Sequence, residues 1–303
     1  MKMGFFPGCS LEGSAREYAE SLRAIAPLLG WELEELPDWN CCGATAAHCL
    51  NHTLALALPA RILALAESAG LEELLVPCSA CYNRLAATRQ ELQQNVELRP
   101  KISQVIEMEL AGRTNIVHVI NALTRAANNG LATKLKEPFR HKVACYYGCY
   151  LTRPLSTASC KRAEDPQEMD DVMRAIGAKP IDWAFKVECC GAGLSVTRVD
   201  LVAELSGRII DDAVQRGAEA IIVACPMCHS NLDLRRGAIQ RNRRRRYSIP
   251  VLYVTQAVGL ALGLDRQALG VHRHFVPVRL PEVSCAARAA STREDVVHGE
   301  REL

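Results

Sequence analysis

Short apolar runs alternate along the chain with longer stretches of helical periodicity. Four runs have the β-branched, apolar composition of buried strands: LLVP (74–77), KVACYY (142–147), AIIVA (220–224) and VLYV (251–254). Helical patterns occupy residues 54–69, 87–111, 167–177 and 199–217. This alternation predicts an α/β fold in which a mostly parallel sheet is flanked by helices.

The chain contains one cysteine pattern twice. Each half reads Gly-Cys, then Cys-Cys-Gly, then Cys-x-x-Cys. The matched segments are Gly8-Cys9, Cys41-Cys42-Gly43 and Cys78–Cys81 in the first half, and Gly148-Cys149, Cys189-Cys190-Gly191 and Cys225–Cys228 in the second. The similarity extends beyond cysteine, because LEELLVPCSAC (71–81) parallels AEAIIVACPMC (218–228), and IVHVINALTRA (116–126) parallels VLYVTQAVGLA (251–261). A repeat of this length predicts a duplicated domain.

The boundary between the copies is predicted in the charged segment 132–142, which contains Pro138. The chain then divides into a first domain at 1–137, a second at 138–275, and a polar C-terminal tail at 276–303. Each domain is expected to be a pseudo-repeated, mostly parallel sheet flanked by helices.

Composition and charge narrow the class of protein. The 303 residues are 49% hydrophobic and 23% charged, which is typical of a soluble globular protein. A net charge of +2 gives no reason to expect a nucleic-acid partner or an anionic membrane. The apolar stretch 54–66 is interrupted by Pro59 and Arg61 and is too short to span a bilayer. No export or transmembrane segment is visible, so we expect a cytoplasmic protein.

Fourteen cysteines are many for such a chain. In a reducing compartment they favour metal binding or redox chemistry over structural disulfides. Each cysteine group is predicted to lie where a strand ends and a helix begins, and such strand ends share one edge of a parallel sheet. Helix amino termini carry partial positive charge, which suits a group of thiolates.

Five cysteines per half exceed the four ligands of a tetrahedral zinc ion or a standard cubane cluster. Two adjacent cysteines cannot readily bind one ion, whereas two neighbouring metals could each take one. The pattern therefore favours a multinuclear site, for which iron–sulfur is the chemically obvious candidate. Structural zinc, buried thiols and a thioredoxin-like Cys-x-x-Cys remain as alternatives.

Both cysteine sets resemble the CCG domain. The segments YYGCYLTRP (146–154) and IPVLYVTQAVGLALGLDRQALGVHRHF (249–275) further resemble the HdrB component of heterodisulfide reductase. This resemblance implies two noncubane [4Fe-4S] clusters. It implies that the first is bound by Cys9, Cys41, Cys42, Cys78 and Cys81, and the second by Cys149, Cys189, Cys190, Cys225 and Cys228.

The resemblance also implies a function. An HdrB-like protein is a catalytic iron–sulfur subunit that cleaves or forms a disulfide between its two clusters. It receives electrons from an iron–sulfur partner, HdrC, and a flavin partner, HdrA. The substrate is then a disulfide or a protein-bound lipoyl group. Because cleaving a disulfide takes two electrons, one cluster on each side explains the duplication.

Two other functions remain open. CCG domains also occur in electron-relay or quinone-linked subunits of succinate and 2-hydroxy acid dehydrogenases. Those proteins often carry an additional Cys-x-x-Cys-x-x-Cys segment, which this sequence lacks, so the disulfide enzyme is favoured. A zinc-stabilised interaction module is the third alternative.

Several residues beside the cysteines have predicted roles. Gly8, Gly43, Gly148 and Gly191 are expected to let the backbone approach a cluster or adopt positive φ. His229, directly after Cys228, is the candidate proton donor for the released thiols, with His48 and Tyr150 as weaker candidates.

Two further features are weighed less heavily. Cys49, Cys145, Cys160 and Cys285 have no counterpart in the other half and are expected to be small buried hydrophobes. The run QRNRRRRYS (240–248) is the densest charge in the chain. It is predicted to be a solvated face. Docking to an acidic patch or an anionic substrate is the second interpretation, and nucleic-acid binding is the third.

Overall fold

The computed structural model describes residues 1–44 and 47–282, without the side chain of His48. Within these residues each half forms one four-stranded sheet. The first contains β1 (Lys2–Phe5), β2 (Glu32–Glu35), β3 (Glu73–Val76) and β4 (Asn115–His118), in the order β2-β1-β3-β4. The second contains β5 (Lys142–Tyr146), β6 (Lys179–Pro180), β7 (Ala220–Val223) and β8 (Val251–Tyr253), in the order β6-β5-β7-β8. All pairings are parallel, which confirms the predicted α/β class.

Helices connect the strands and cover the sheets. In the first half they are α1 (Gly8–Glu12), α2 (Arg16–Ile25), α3 (Ala47–Leu50), α4 (His52–Ser68), α5 (Ser79–Gln94), α6 (Leu98–Ile106) and α7 (Val119–Asn128). In the second they are α8 (Glu168–Ala175), α9 (Val199–Gln215), α10 (Pro226–Leu232), α11 (Arg236–Arg243) and α12 (Val254–Ala261). No helix in residues 1–44 or 47–282 has the length and hydropathy needed to cross a bilayer.

The predicted strands are all present, as β3, β5, β7 and β8. They are the strands that an apolar composition reveals, and β7 is buried along its whole length. By contrast, β2 reads ELEE and is mostly exposed at the edge of its sheet, where charged side chains are tolerated. Its strand character comes from its pairing with β1 and carries no local signal.

One helix prediction is wrong. The pattern at 87–111 is two helices, since α5 begins earlier, at Ser79, and α6 starts at Leu98. The carboxamide of Asn95 accepts a hydrogen bond from the backbone N–H of Leu98 at 3.2 Å and so supports the start of α6. Pro100 lies in the first turn of α6, where a missing N–H costs little.

The two halves pack through two helix pairs, α2 against α12 and α7 against α8. Because α2 and α8 occupy matching places in their halves, as do α7 and α12, the two contacts are related by an approximate twofold axis, like an isologous interface. At the first contact, buried Ser21 Oγ lies 2.7 Å from Thr255 Oγ1. The hydrophobic core continues through both halves.

The predicted boundary at 137/138 lies in the irregular segment that precedes β5, and the domain division stays a prediction. The first residues of the predicted tail pack on the second half, since Val276 and Val278 are buried. The rest of the tail, 283–303 with Cys285, lies outside the described residues.

Candidate functional site

The ends of the strands position the cysteines. Cys9 lies in α1 directly after β1, and Cys149 follows β5 in a turn. Cys78 and Cys225 are the N-cap residues of α5 and α10, which follow β3 and β7. The vicinal pairs lie in the loops after β2 and β6. Because all strands of each sheet run in one direction, these points meet at one sheet edge, as predicted.

In the first half the five sulfurs form a continuous group. Cys42 Sγ lies 3.1 Å from Cys81 Sγ, and Cys41 Sγ lies 3.9 Å from Cys9 Sγ. Cys78 hydrogen-bonds to Cys81, and Cys41 to Cys42. All five residues predicted for the first cluster are therefore in one place.

The second half repeats this arrangement. Cys190 Sγ lies 3.6 Å from Cys228 Sγ, the pair that corresponds to Cys42 and Cys81. Cys149 hydrogen-bonds to Cys189, and Cys225 hydrogen-bonds to Cys228. The duplication seen in the sequence is thus also a duplication of the sulfur geometry.

The four predicted glycines serve two purposes. Gly8 and Gly148 have φ of 67° and 68°, and an added Cβ would lie 3.2 Å from Cys81 Sγ and 3.0 Å from Cys228 Sγ. A side chain at either position would crowd that sulfur and would hold a backbone conformation that L residues rarely adopt.

Gly43 and Gly191 act through their backbone N–H groups. Gly43 N lies 3.5 Å from Cys41 Sγ, and Gly191 N lies 3.3 Å from Cys189 Sγ. Both also adopt positive φ, as predicted. An N–H group directed at a sulfur stabilises its thiolate form.

Neighbouring sulfurs change each other's acidity. Hydrogen bonds from Cys41 and Cys81 lower the pKa of Cys42 to about 4, and the thiol of Cys149 lowers the pKa of Cys189 to about 6. Hydrogen bonds from Cys228 and Cys78 hold the pKa of Cys225 well below its usual range. Sulfurs gathered in this way share protons, and a bound metal replaces such protons.

Each sulfur group has a buried side and an open side. The sulfurs of the Cys-x-x-Cys segments and the second cysteine of each vicinal pair are buried. Cys9, Cys41 and Cys189 are exposed, and Cys149 is half-buried. Both groups therefore reach the surface at the same two motif positions, which are the cysteine of Gly-Cys and the first cysteine of the vicinal pair.

The two groups meet at the interface between the halves. Cys78 of the first half adjoins Cys225 of the second, and each shifts the pKa of the other. The buried hydroxyl of Tyr18 donates to the carbonyl oxygens of Pro77 and Ala224, each at 3.2 Å. These carbonyls directly precede the two cysteines, and Ser79 Oγ donates to Ala224 O as well, at 3.2 Å.

The sequence did not indicate three of the residues at this interface: Tyr18, Asn83 and Arg84. Asn83 Nδ2 donates to the carbonyls of Tyr150 and Arg153, at 3.2 and 2.9 Å, and so joins α5 to the turn after Cys149. Arg84 brings a positive charge near Cys42 and near Tyr150 of the other half. These roles arise from contacts between distant segments.

Two corresponding positions hold a tyrosine and a histidine in opposite order in the two halves: the residue after the Cys-x-x-Cys segment and the last residue of the fourth strand. Tyr82 follows Cys81, and its ring meets His118, the last residue of β4, edge-on at 5.5 Å. In the second half His229 follows Cys228 and stacks at 4.3 Å on Tyr253, the last residue of β8. Tyr253 stacks in turn on Tyr18 at 4.1 Å. The two sites share their sulfurs but differ in the rings beside them.

His229 is buried and neutral at pH 7. Burial lowers its pKa to about 3, and its Nε2 lies 3.2 Å from the carbonyl of Val251. A neutral imidazole whose N–H is used by a carbonyl is a weak acid. The structure thus gives His229 a supporting place behind Cys228, and its role as proton donor stays a prediction.

His229, Asp233 and His274 lie close enough together to hold a metal ion. However, Gln256 Nε2 lies 2.8 Å from His274 Nε2, and Gln256 Oε1 is fixed by the N–H of Tyr253. The Gln256 amide therefore donates to Nε2, which leaves the proton of His274 on Nδ1. Nε2 of His229 is likewise engaged with the carbonyl of Val251, so this group is part of a hydrogen-bond network.

The unmatched cysteines divide into two kinds. Cys145 and Cys160 are buried, as predicted for small hydrophobes. The same prediction is wrong for Cys49, which is exposed. Cys49 lies in the short helix α3, and the last residue of that helix, Leu50, is exposed as well. The end of α3 therefore lies at the surface.

The donor set fits an iron–sulfur cluster in each half. Thiolates that share one tetrahedral metal ion with bonds of about 2.3 Å lie about 3.8 Å apart. The Cys9–Cys41 and Cys190–Cys228 separations of 3.9 and 3.6 Å match this value, and the Cys42–Cys81 separation is shorter. The fifth sulfur exceeds what one zinc ion takes, and the N–H groups of Gly43 and Gly191 supply hydrogen bonds to sulfur.

Comparisons with known proteins agree with this arrangement. The cysteine-rich domain CCG matches residues 3–86 and 143–233. The HdrB component of the ferredoxin:CoB-CoM heterodisulfide reductase of Methanosarcina mazei is 31% identical, and the match covers 91% of this chain and 94% of that protein. The membrane anchor subunit of the 8-methylmenaquinol:fumarate reductase of Wolinella succinogenes is 30% identical, over 91% of this chain and 97% of that protein.

Two further comparisons concern more distant proteins. An HdrB-like heterodisulfide reductase protein of Archaeoglobus profundus is 27% identical, over 88% of this chain and 92% of that protein. A hypothetical protein of Helicobacter pylori of known structure aligns with a TM-score of 0.76 at 16% identity, over 92% of this chain and 52% of that one. The latter likeness shows a shared fold.

Proposed function

Because this chain belongs to the family of proteins with two cysteine-rich CCG domains, which includes the HdrB component of heterodisulfide reductase, we propose that it is the catalytic iron–sulfur subunit of a disulfide oxidoreductase. In this proposal each half holds one noncubane [4Fe-4S] cluster, on the ten cysteines that the resemblance implies. Its substrate is a disulfide or a protein-bound lipoyl group.

One observation carries the proposal. Two matched groups of five sulfurs adjoin through Cys78 and Cys225, and both open to the surface through the same motif positions. Cleaving a disulfide takes two electrons and two protons and yields two thiols. When bound, the clusters would supply this electron-transfer chemistry, one on each side of the substrate.

The chain's own residues hold and orient this site. Six buried sulfurs keep the inner side dry, and the exposed Cys9, Cys41 and Cys189 mark where a substrate can approach. Arg84 places a positive charge beside Cys42, which favours a negatively charged sulfur there. Asn83 and Tyr18 fix one half against the other.

Metal content tests the cluster assignment. The protein is purified without oxygen, and iron, acid-labile sulfide and zinc are measured. We expect iron and sulfide for two [4Fe-4S] clusters, and a loss of about half in either Cys41→Ala or Cys189→Ala. Cys145→Ala, which removes a buried sulfur outside the motifs, is the matched control and should keep the full content. Zinc without sulfide would refute the proposal.

Turnover tests the reaction. The protein is combined with its partners, which we propose to be the iron–sulfur protein HdrC and the flavin protein HdrA of a cytoplasmic complex. Consumption of a disulfide and of a lipoylated protein is then followed against reduced electron donor. The appearance of two thiols per two electrons supports the proposal, and inactivity toward both substrates contradicts it.

An electron-relay or quinone-linked role is the second candidate. It is favoured by the Wolinella succinogenes relative, which belongs to a menaquinol:fumarate reductase. In the same assay, electron transfer to or from a quinone, without disulfide turnover, would select this alternative. The ten cysteines would then serve electron transfer between partners.

A further inference from the structure

The second half carries a groove that the cysteine chemistry does not use. It lies beside α10 and α11 and has a volume of about 700 Å³. Its lining includes Leu234, Arg236, Tyr247, Phe275, Pro277 and Arg279. The groove is formed partly by the segment after His274, where the sequence predicts the start of a tail.

One wall of the groove is apolar and exposed. Phe275 is 68% exposed and Leu234 is 46% exposed, although both belong to ordered segments of the chain. Asp233 holds this wall in place, because its carboxylate accepts hydrogen bonds from the backbone N–H groups of Phe275 and Val276 at 2.8 and 3.0 Å. An exposed phenylalanine on a fixed backbone is typical of an interaction site.

The floor of the groove is cationic. Arg236 is buried, and its Nε and Nη1 donate to the carbonyls of Leu232 and Ile249 at 3.0 and 2.9 Å. Its Nη2 has no hydrogen-bond partner within the described chain. The charge of Asp233 acts on this guanidinium, although the two form no direct ion pair among the described residues. Arg279, exposed at the same groove, adds a second positive charge.

The arginine run in the sequence lies between two groove residues, Gln240 and Tyr247. Two of its arginines are paired internally, since Arg243 and Arg245 lie 2.6 and 3.8 Å from carboxylate oxygens of Asp211. Arg241, Arg244 and Arg246 are exposed, and none forms an ion pair with a residue that the structure describes. These exposed arginines follow groove residues in the sequence, and Arg241 Nη1 lies 3.7 Å from a Cβ built on Gly237 in the groove lining.

We propose that this groove docks a partner polypeptide through a segment in which acidic residues flank an apolar side chain. The apolar side chain packs between Phe275 and Leu234, and the carboxylates pair with Arg279 and the exposed arginines of the run. Aromatic and arginine residues around an apolar centre are the composition of binding hot spots.

The shape of the site favours a polypeptide over a membrane or a nucleic acid. A concave groove of this volume accepts an inserted side chain, whereas a lipid surface is met by protruding apolar residues. A phosphate backbone has no apolar side chain that would fill the space between Phe275 and Leu234.

The position of the groove suits an electron-transfer partner. Asp233 is the C-cap residue of α10, and the same short helix has Cys225 as its N-cap residue and carries Cys228. At a rise of about 1.5 Å per residue, this helix is only about 10 Å long. A partner docked in the groove thus lies one helix length from the second sulfur group. The docking inference itself rests on the groove and stands apart from the proposed disulfide chemistry.

Peptide binding tests the proposal. The probes are blocked, fluorescently labelled hexapeptides in which Asp or Glu flanks Leu or Phe, and a matched set with Lys in place of the acids. Binding to the oxygen-protected protein with its metals retained is measured by fluorescence anisotropy. We expect the acidic set to bind, more weakly at high salt, and to lose about tenfold in affinity in Phe275→Ala and in Arg279→Glu.

Matched variants control for nonspecific effects. Val196→Ala removes another exposed apolar side chain, and Lys101→Glu makes the same charge change in the first half. Both should bind the acidic peptides like the unchanged protein. Acidic peptides that bind no better than the lysine set, or equally well to Phe275→Ala, would overturn the proposal. The proposal would also fail if the two groove variants lost binding to anionic vesicles or to a DNA oligonucleotide while they still bound the acidic peptides.

Discussion

Cys78 and Cys225, from opposite halves of the chain, adjoin across the buried interface, where each shifts the pKa of the other. Each is the N-cap residue of the helix that carries its Cys-x-x-Cys segment. The two sulfur groups therefore adjoin through their buried members while their exposed members face outward. This contact is maintained from behind by Tyr18, whose hydroxyl bridges the carbonyls before the two cysteines.

The first prediction concerns that bridge. Tyr18→Phe removes one hydroxyl from two buried carbonyls and should lower the free energy of unfolding by about 1–2 kcal/mol. Chemical denaturation without oxygen measures the change. Tyr253→Phe is the matched control, because Tyr253 stacks on Tyr18 but its buried hydroxyl has no partner among the described residues. Its removal should be neutral or slightly stabilising, and equal losses in both variants would contradict the bridging role.

The second prediction concerns the glycines that face sulfur. Gly8→Ala should reduce the metal content of the first half and Gly148→Ala that of the second, since the new Cβ would lie 3.2 and 3.0 Å from Cys81 Sγ and Cys228 Sγ. Gly70→Ala is the control that separates backbone strain from crowding of a sulfur. Gly70 also has positive φ, at 69°, but no atom lies within 4 Å of an added Cβ. It should cost about 1 kcal/mol of stability and leave the iron content unchanged.

A third prediction concerns Arg84. Its positive charge near Cys42 favours the more negative, reduced state of any redox group held there. Arg84→Gln should therefore lower the reduction potential of the first site, by on the order of 50 mV for a charge roughly 10 Å away. Redox titration followed by electron paramagnetic resonance measures the shift. Arg89→Gln removes a charge further along α5 and should shift the potential much less.

The fourth prediction is a pH dependence of stability. Burial raises the pKa of Glu17 from 4.5 to about 7, with the charges of Asp233 and Glu20 acting in the same direction. The folded protein thus holds a proton that the unfolded chain releases between these two values, so stability falls as the pH rises through this window. Between pH 6 and pH 8 we expect a loss of about 1 kcal/mol from this group.

Two variants isolate the contribution of Glu17. Denaturation of Glu17→Gln at pH 6 and pH 8 should show a smaller difference than in the unchanged protein. Glu34→Gln, an exposed carboxylate in β2 that pairs with Lys2 and is not among the groups that shift the pKa of Glu17, should keep the full difference. An unchanged pH dependence in Glu17→Gln would show that other groups cause it.

The sequence was sufficient to predict the repeated half and the gathering of its motif cysteines in one place, and their role as cluster ligands stays a prediction. The spacing of the cysteines is recognisable in the sequence because each motif follows a strand. The segments AIIVA and LLVP are recognisable as strands from their composition alone. β2, with three glutamates, could not be found in this way, since only its pairing with β1 makes it a strand. The helical periodicity continues on both sides of Asn95, so the sequence predicts one helix where the structure has α5 and α6. The break is visible only in the hydrogen bond that Asn95 accepts from Leu98.

The residues that join the halves carried no local signal. Tyr18 contacts carbonyls of residues 77 and 224, so its role exists only once both halves have folded. Arg84 and Asn83 lie on a helix whose polar pattern is that of any surface helix. The groove at Phe275 was likewise hidden, because its wall depends on hydrogen bonds to Asp233 from a segment that reads as a tail.

Because tyrosine and histidine occupy opposite positions in the two halves, the two sulfur groups have different surroundings. Tyr82 with His118 lies on one side, and His229 with Tyr253 on the other. A molecule with two unlike ends that lay across the pair would meet different surroundings at each end. Its two orientations would then differ in energy, and a duplicated framework would distinguish head from tail.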